Sequence, residues 1–401
     1  MIIWLALVLP IPAVAVLYWK FHHRIVLWEV LIMFATPVVC VSVGKLLVDA
    51  VQSRDKEYWG GWVTQAEYYE DWNERVNCRH PISCTHPEYS TDSKGKRYQS
   101  GYKHLNDGHY HSYDVDDHDP YWEVATSNGH SMKVSQQKFE ALATRFGNRA
   151  FVELNRSFHT DDGDKYVALW KGERERLEPA TTEHSYENRV QASTSIFNFP
   201  EIDPRENDLY EYPPITEQYY QRCVLGDAGP TTVDGEKRFQ ELNALLGREK
   251  ELRLYVLVFR DRGMQAATDQ MTYWKGGNKN ELVSCVGVDA NSVVQWAYVF
   301  SWTEVESIKV EARDFLAGQK ALDLTAYAAW LEPVLRERWI RKRFEDFAYL
   351  TVEPPGWVIM TTFIVTFLAT GAVCVFAIIN DENPGDRNTY RPWELGRRIG
   401  S

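Results

Sequence analysis

Charged side chains are missing from three stretches of this chain, and positive charge is short over the rest. Met1–Trp19 carries no charge, Ile25–Gly44 carries only Glu29, and Gly356–Asn380 carries none. Such runs are unlike ordinary surface helices. At about 1.5 Å rise per residue each reaches across a hydrocarbon core of roughly 30 Å, where only a helix satisfies its own backbone. We therefore read three transmembrane helices, a hairpin in residues 1–50 and a single span in 354–380. No basic segment precedes the first run and a second apolar run follows almost at once, which argues for an uncleaved hairpin over a signal peptide. The formal net charge is −12, which disfavours nucleic acid as a partner. Signatures of nucleophilic catalysis are missing too: there is no Gly-x-Ser-x-Gly elbow and no Cys-Gly-Ser-Cys-Trp segment. Internal repeats and low-complexity tracts are also lacking.

Between the second and third spans lies one large polar region, residues 45–355. The short loop Lys20-Phe21-His22-His23-Arg24 is basic, and so is the tail 381–401, with Arg387, Arg391, Arg397 and Arg398. The positive-inside rule puts loop and tail in the cytoplasm and the large region outside it. Basic residues flank the large region as well (Lys45, Arg54 and Lys56; Arg336, Arg338, Arg341, Lys342 and Arg343). Long domains translocate largely regardless of charge, so the short loop decides. The chain is read as an integral membrane protein with an extracytoplasmic domain and the bilayer as one partner.

Residues 51–170 read as β-rich. Asn106-Asp107-Gly108, Asn128-Gly129 and Asp161-Asp162-Gly163 are turn signals between strand-like runs. A helix is expected at about 135–146, with Phe139, Leu142 and Phe146 on one face and Gly147 as its stop. Residues 171–222 read as an extended connector, since Pro179, Pro200, Pro204, Pro213 and Pro214 deny it long helices and central strands. Residues 223–350 alternate helix and strand: a helix at 232–246, strands at 252–259, 282–288 and 293–302, a short helix at 264–274, and helices at 304–316 and 321–349. The whole is an α+β membrane protein.

The last of these regions resembles the TPM domain, the module of the TLP18.3/Psb32/MOLO-1 group. Val224-Leu225-Gly226-Asp227-Ala228-Gly229 is similar to the family's opening segment, and Gly276-Gly277-Asn278-Lys279-Asn280-Glu281-Leu282-Val283 occupies the place of its turn into a central strand. The likeness implies an α/β sandwich. It also implies acidic residues at the strand ends that bind calcium in some members, Asp227 being the matching position. The family's Arg- and Gly-containing hairpin arm is replaced here by Ser292-Val293-Val294-Gln295-Trp296-Ala297-Tyr298. In overall style the chain resembles uncharacterised membrane proteins of large tailed phages.

Three groups of residues are candidates for chemistry. The glycine pair Gly276-Gly277 follows a helix and precedes a strand, the wrong polarity for a phosphate loop. It reads as a helix cap and turn. Asn278 and Asn280 beside it, with Asp227, Asp261 and Asp289 near strand ends, could supply oxygen ligands to Ca or another divalent cation. The second group is Cys78-Arg79-His80-Pro81-Ile82-Ser83-Cys84-Thr85-His86. Cys78 and Cys84 suit a disulfide in an oxidising compartment; Cys78, His80, Cys84 and His86 together suit zinc. The third is Gly108–Asp119, where His109 and His111 fall on one face of a strand near Asp114, Asp116 and His118. It reads as either a metal site or a solvated hairpin arm.

The functional expectation is a membrane-anchored protein whose large domain mediates protein–protein interaction or assembly, with a protein partner or a homo-oligomer. Catalysis is the weaker expectation. The alternative is a metal-dependent hydrolase, phosphatase-like, built on the TPM-like region.

Overall fold

The computed structural model describes residues 2–21, 27–79, 84–104, 109–156, 158–193, 199–216, 219–352 and 354–382. The protein is mixed α+β. It divides into two units, one made of residues 1–55, 185–199 and 343–401, the other of 56–184 and 200–342.

In the first unit the apolar runs are helices. Among the described residues two are long and apolar enough to cross a membrane, Val30–Gln52 and Gly356–Ile379. The expected third span is corrected. Residues 2–21 break into a 3-10 helix, Ile2–Val8, and a helix of 12 residues, Pro10–Phe21. Pro10 and Pro12 lack the backbone N–H that a continuous helix would use, so Pro10 starts a new helix instead of extending the old one. At about 1.5 Å per residue the second piece covers only about 18 Å. Ile3, Ala6, Val41, Val48 and Val358 pack together in this unit.

The second unit holds two main sheets. The first centres on β1 (Arg54–Tyr69). From its end the chain leaves as an excursion through β2 (Trp72–Asn77), β3 (Thr85–Thr91), β4 (Arg97–His104) and β5 (Tyr110–His118). It returns as β6 (Tyr121–Thr126), antiparallel to β1 with Tyr69 opposite Tyr121. β7 (Ser131–Val134) forms a hairpin with β6 around Asn128-Gly129, where Gly129 takes φ 80°. β8 (Ala150–Val152), β9 (Lys165–Leu169) and β10 (Pro179–Glu187) complete the sheet. Its order is β7-β6-β1-β9-β8, with β10 also on β1. Pro179 is tolerated because it is the first residue of its strand. Helix Gln136–Phe146 covers one face through Phe139, Leu142 and Phe146, against Val63, Ala66, Val124 and Ala168. The Ser135 hydroxyl caps it by accepting the Lys138 N–H.

The second sheet runs β11 (Val224–Leu225), β12 (Arg253–Arg260), β13 (Glu281–Val288) and β14 (Val294–Ser301). β11, β12 and β13 are parallel, and β14 is antiparallel to β13. β13 is buried along its whole length, as a strand inside a largely parallel sheet must be. Helices Thr232–Lys250, Gln265–Tyr273, Glu306–Ala317 and Leu324–Arg338 accompany it. The last is shorter than the sequence pattern suggests: it ends at Arg338 with Pro333 inside it. The connector is anchored, not loose. Tyr210 exchanges hydrogen bonds with the Gln270 side chain and its hydroxyl donates to the Val258 carbonyl, while Tyr212 stacks on Trp274 at 4.0 Å.

The two sheets meet within this unit through buried polar contacts. Gly60 lies so close to helix Thr232–Lys250 that a Cβ there would sit 1.8 Å from the Asn243 carbonyl oxygen. Arg253, fully buried, donates to the Thr181 hydroxyl and the Gln221 carbonyl.

Candidate metal centre

The excursion between β1 and β6 forms an arm of two separate ribbons, β2 with β5 and β3 with β4. The outer ribbon has almost no interior. β3 has no buried residue, and Tyr89, Tyr98 and Tyr102 are exposed. Two strands without a packed face are marginal in water. Something other than apolar burial must hold them.

At the junction of the ribbons stand two cysteines and three histidines. Cys78 follows β2, and its N–H donates to the His109 carbonyl at 2.7 Å. Cys84 and His86 open β3; His109 and His111 open β5. Each pair is spaced i, i+2, so an extended backbone turns both members to the same side. Cys84 Sγ lies 3.0 Å from His86 Nε2 and 3.0 Å from His111 Nε2. His109 Nε2 lies 3.2 Å from His86 Nε2 and 3.0 Å from His111 Nε2. The ligand atoms of Cys78, Cys84, His109 and His111 all fall within 4.8 Å of one another.

These distances, from 3.0 Å up to the 4.8 Å limit of the group, bracket the edges of a coordination polyhedron. Zinc bonds of about 2.1 Å to nitrogen and 2.3 Å to sulfur set tetrahedral edges of roughly 3.4–3.8 Å. Imidazole and thiolate together select zinc-like cations over calcium or magnesium, which want oxygen. Without a cation, ring nitrogens and a thiol at such separations must share a few protons among many contacts; one cation would satisfy four of the donors at once. Burial, and then the nearby His111 and His109, hold His86 below its ordinary pKa, toward the neutral form that ligates. Burial, then the hydrogen bond and charge of Cys78, push the Cys84 thiol up. Five donors exceed the four a structural zinc takes. Cys84, His109 and His111 belong to either set, and Cys78 or His86 is the fourth.

The sequence candidates regroup accordingly. Cys78 and Cys84, read as either a disulfide or part of a zinc site, are free thiols in the structure, and each sulfur lies within 4.8 Å of the His109 and His111 ligand atoms. His80 lies outside the described residues. The second and third candidate groups are one site, split in sequence by the β3–β4 hairpin. Asp114, Asp116 and His118 do not join it. Asp114 is buried, Asp116 pairs with Arg79, and His118 stacks on Trp72 at 4.0 Å.

The acids of the second sheet are differently placed. One Asp227 carboxylate oxygen accepts the Gly229 N–H at 2.8 Å and the Thr232 hydroxyl at 3.2 Å; the other pairs with Arg260 at 3.1 Å. These bonds, the Gly229 N–H first, hold Asp227 below its ordinary pKa. Asp289 accepts the N–H groups of Asn291 and Val293. Arg260 also donates to the Asp289 and Ala290 carbonyls, so a guanidinium links the two aspartate turns where a cation was expected. Asp261 takes a left-handed conformation, φ 53°. Asn278 and Asn280 are buried, not at a sheet edge: Asn278 binds the Glu281 carboxylate through its N–H and its amide, and Asn280 donates to the Tyr58 carbonyl.

Two features had no clear sequence signal. Glu57, buried, faces Lys279 at 3.7 Å and Arg341 at 3.4 Å, and burial raises its pKa against those cations. A cavity of about 430 Å³ is lined by Trp59, Asn128, His184, Arg248 and Glu251 among others, with Trp59 stacked on His184 at 4.0 Å. Both join residues far apart in the chain. In comparisons with known proteins, the chain matches no family model, no curated protein and no solved structure.

Proposed function

We propose that this is a membrane-anchored assembly protein whose large domain presents a metal-stapled arm to other proteins. The observation that carries the reading is the cluster of Cys78, Cys84, His86, His109 and His111 at the junction of two ribbons that lack a core. A zinc ion there would do what burial does elsewhere, fixing an exposed aromatic surface in one shape. Aromatic side chains on exposed surfaces favour protein contacts. The two apolar helices keep the domain at a bilayer.

We place the large domain outside the cytoplasm on the strength of the basic loop 20–24. With Cys78 as the fourth ligand, metal coordination would shield both sulfurs from oxidation, and free cysteines are then consistent with that side. A cysteine introduced at Ser93 tests it: labelling of intact cells by an impermeant maleimide is expected, and protection until lysis would reverse the orientation.

The TPM-like relation of residues 223–350 is kept as a proposal, supported by the order of its strands and helices. The hydrolase alternative has no supporting observation, since the Asp227 and Asp289 carboxylates serve their own turns and Arg260 joins them. The test of the main reading is photo-crosslinking from positions 98 and 102 of the full chain in its membrane. Discrete protein adducts that vanish with Cys84→Ser are expected; adducts to lipid alone would sink it.

A further inference from the structure

The arm is polarised in charge. Its outer turn carries Lys94, Lys96 and Arg97, all exposed, with Lys103 further down β4. Only Glu88 and Asp92 oppose them on the outer ribbon. Asp92 is engaged in the turn, accepting the N–H groups of Lys94 and Lys96. The root of the arm is the reverse. Trp72 lies opposite His118 and Asn73 opposite Asp117, so Asp71, Asp117 and Asp119 gather at one end of the inner ribbon. Segment 158–160 lies along β2 through the Glu74–His159 bridge, and the Asn73 amide donates to Asp161. This brings Asp161 and Asp162 to the same end. All five aspartates are exposed. Tip and root lie at opposite ends of one excursion, and the tip is cationic in a chain of net charge −12.

We propose that the basic tip of the arm docks on the acidic root of the arm of a second copy of this chain, and the second tip on the first root, about a two-fold axis. Opposite charges at the two ends of one element make it complementary to itself reversed, which is the requirement for an isologous contact. Anchoring in a shared bilayer raises the effective concentration of copies for one another. Tyr98 and Tyr102, exposed beside the tip cations, supply apolar area to the same contact. The inference rests on the reading of the arm as a metal-stapled element.

The test uses the full chain in neutral detergent with its zinc, sized by light scattering at low and high salt. The wild type is expected to dimerise at about 0.05 M salt and dissociate at about 0.5 M, since exposed charge pairs are screened beyond a Debye length of some 4 Å there. Lys94→Glu/Lys96→Glu/Arg97→Glu is expected to be monomeric, and so is Asp117→Lys/Asp119→Lys. Mixed in equal amounts, the two variants are expected to form a heterodimer, because each now offers the surface the other needs. Misfolding would not produce that rescue. Monomeric wild type at low salt, a dimer that survives either reversal, or no association on mixing overturns the docking. If zinc is still bound and the arm still resists trypsin in that case, only the docking fails. If the wild-type chain binds no zinc, the reading beneath it fails as well.

Discussion

Removing the metal should unfold the outer ribbon and little else. β3 buries nothing, so the hairpin's own stability is close to zero, and two-stranded ribbons supply little more. On the proposed metal-stapled reading its order then comes from linkage to the ion. With free zinc about a thousandfold above its dissociation constant, binding contributes about 4 kcal/mol. That corresponds to a change of about 10³ in the open population, which sets the rate of proteolysis when opening and closing are fast. Trypsin has its targets in place at Lys94, Lys96, Arg97 and Lys103. Chelation of the full chain should therefore speed cleavage in 94–103 by up to about 10³, while sites in the second sheet such as Arg253, fully buried, stay protected. Metal analysis should give one zinc per chain before chelation. Cleavage at an unchanged rate, or protein purified and reconstituted without stoichiometric zinc, would refute the reasoning.

The choice of fourth ligand can be made with cobalt, whose visible spectrum reports tetrahedral thiolate coordination. Cys78→Ser should lower affinity by more than the roughly 10–100-fold that outer partners alone account for, whereas His86→Ala should leave binding nearly intact; the opposite order would put His86 in the set. Gly60→Ala drives a Cβ to 1.8 Å from the Asn243 carbonyl, and the backbone has no rotamer to yield. A loss of at least about 1–3 kcal/mol in chemical denaturation is expected, and a neutral result would mean that β1 and helix Thr232–Lys250 are not so closely apposed. Asp323 caps helix Leu324–Arg338 by accepting the Ala326 N–H. Asp323→Ala should cost about 1 kcal/mol. Its hydrogen bonds, first to the Thr325 hydroxyl and then to the Ala326 N–H, hold its pKa below the ordinary value. The stability it contributes is therefore full above the unfolded pKa of about 3.9 and is lost as pH falls through the lower folded value. The wild-type and Asp323→Ala unfolding curves should converge at the acid end, and a constant gap would contradict the cap.

Local pattern made much of the fold legible. The helix at 135–146 is visible because Ser135, Phe139, Leu142, Phe146 and Gly147 carry cap, stripe and stop within one short window. β12 and β13 are visible because strands covered on both faces need unbroken apolar runs. What the pattern hides is long-range. The hydropathy of residues 1–19 looks like a span, yet two prolines decide its geometry, which composition averages away. The metal cluster was half visible. Cys84-x-His86 and His109-x-His111 each stand out, but they meet only once the β3–β4 hairpin has returned the chain from Thr85 to His104 and β5 has come back beside β2. Nothing within either segment records that pairing. Asp227 and Asp289 are hard to read for the converse reason: nearness to strand ends says where carboxylates sit, not which backbone donors they accept from.

The pairing of Tyr69 with Tyr121 has a consequence for how this chain tolerates change. The chain leaves the main sheet and re-enters it at facing residues, about 5 Å apart across an antiparallel ladder. Residues 70–120 are thus an insertion at what would otherwise be a tight turn, tied to the rest of the unit by the contacts of 70–75 with 158–164. Its removal would ask the sheet to close only a short loop, an entropic penalty far smaller than fifty lost residues suggest. A short turn joining Tyr69 to Tyr121 should leave the β6–β1–β9 ladder in register. The same two residues mark where a foreign arm, with another metal or none, would be accepted.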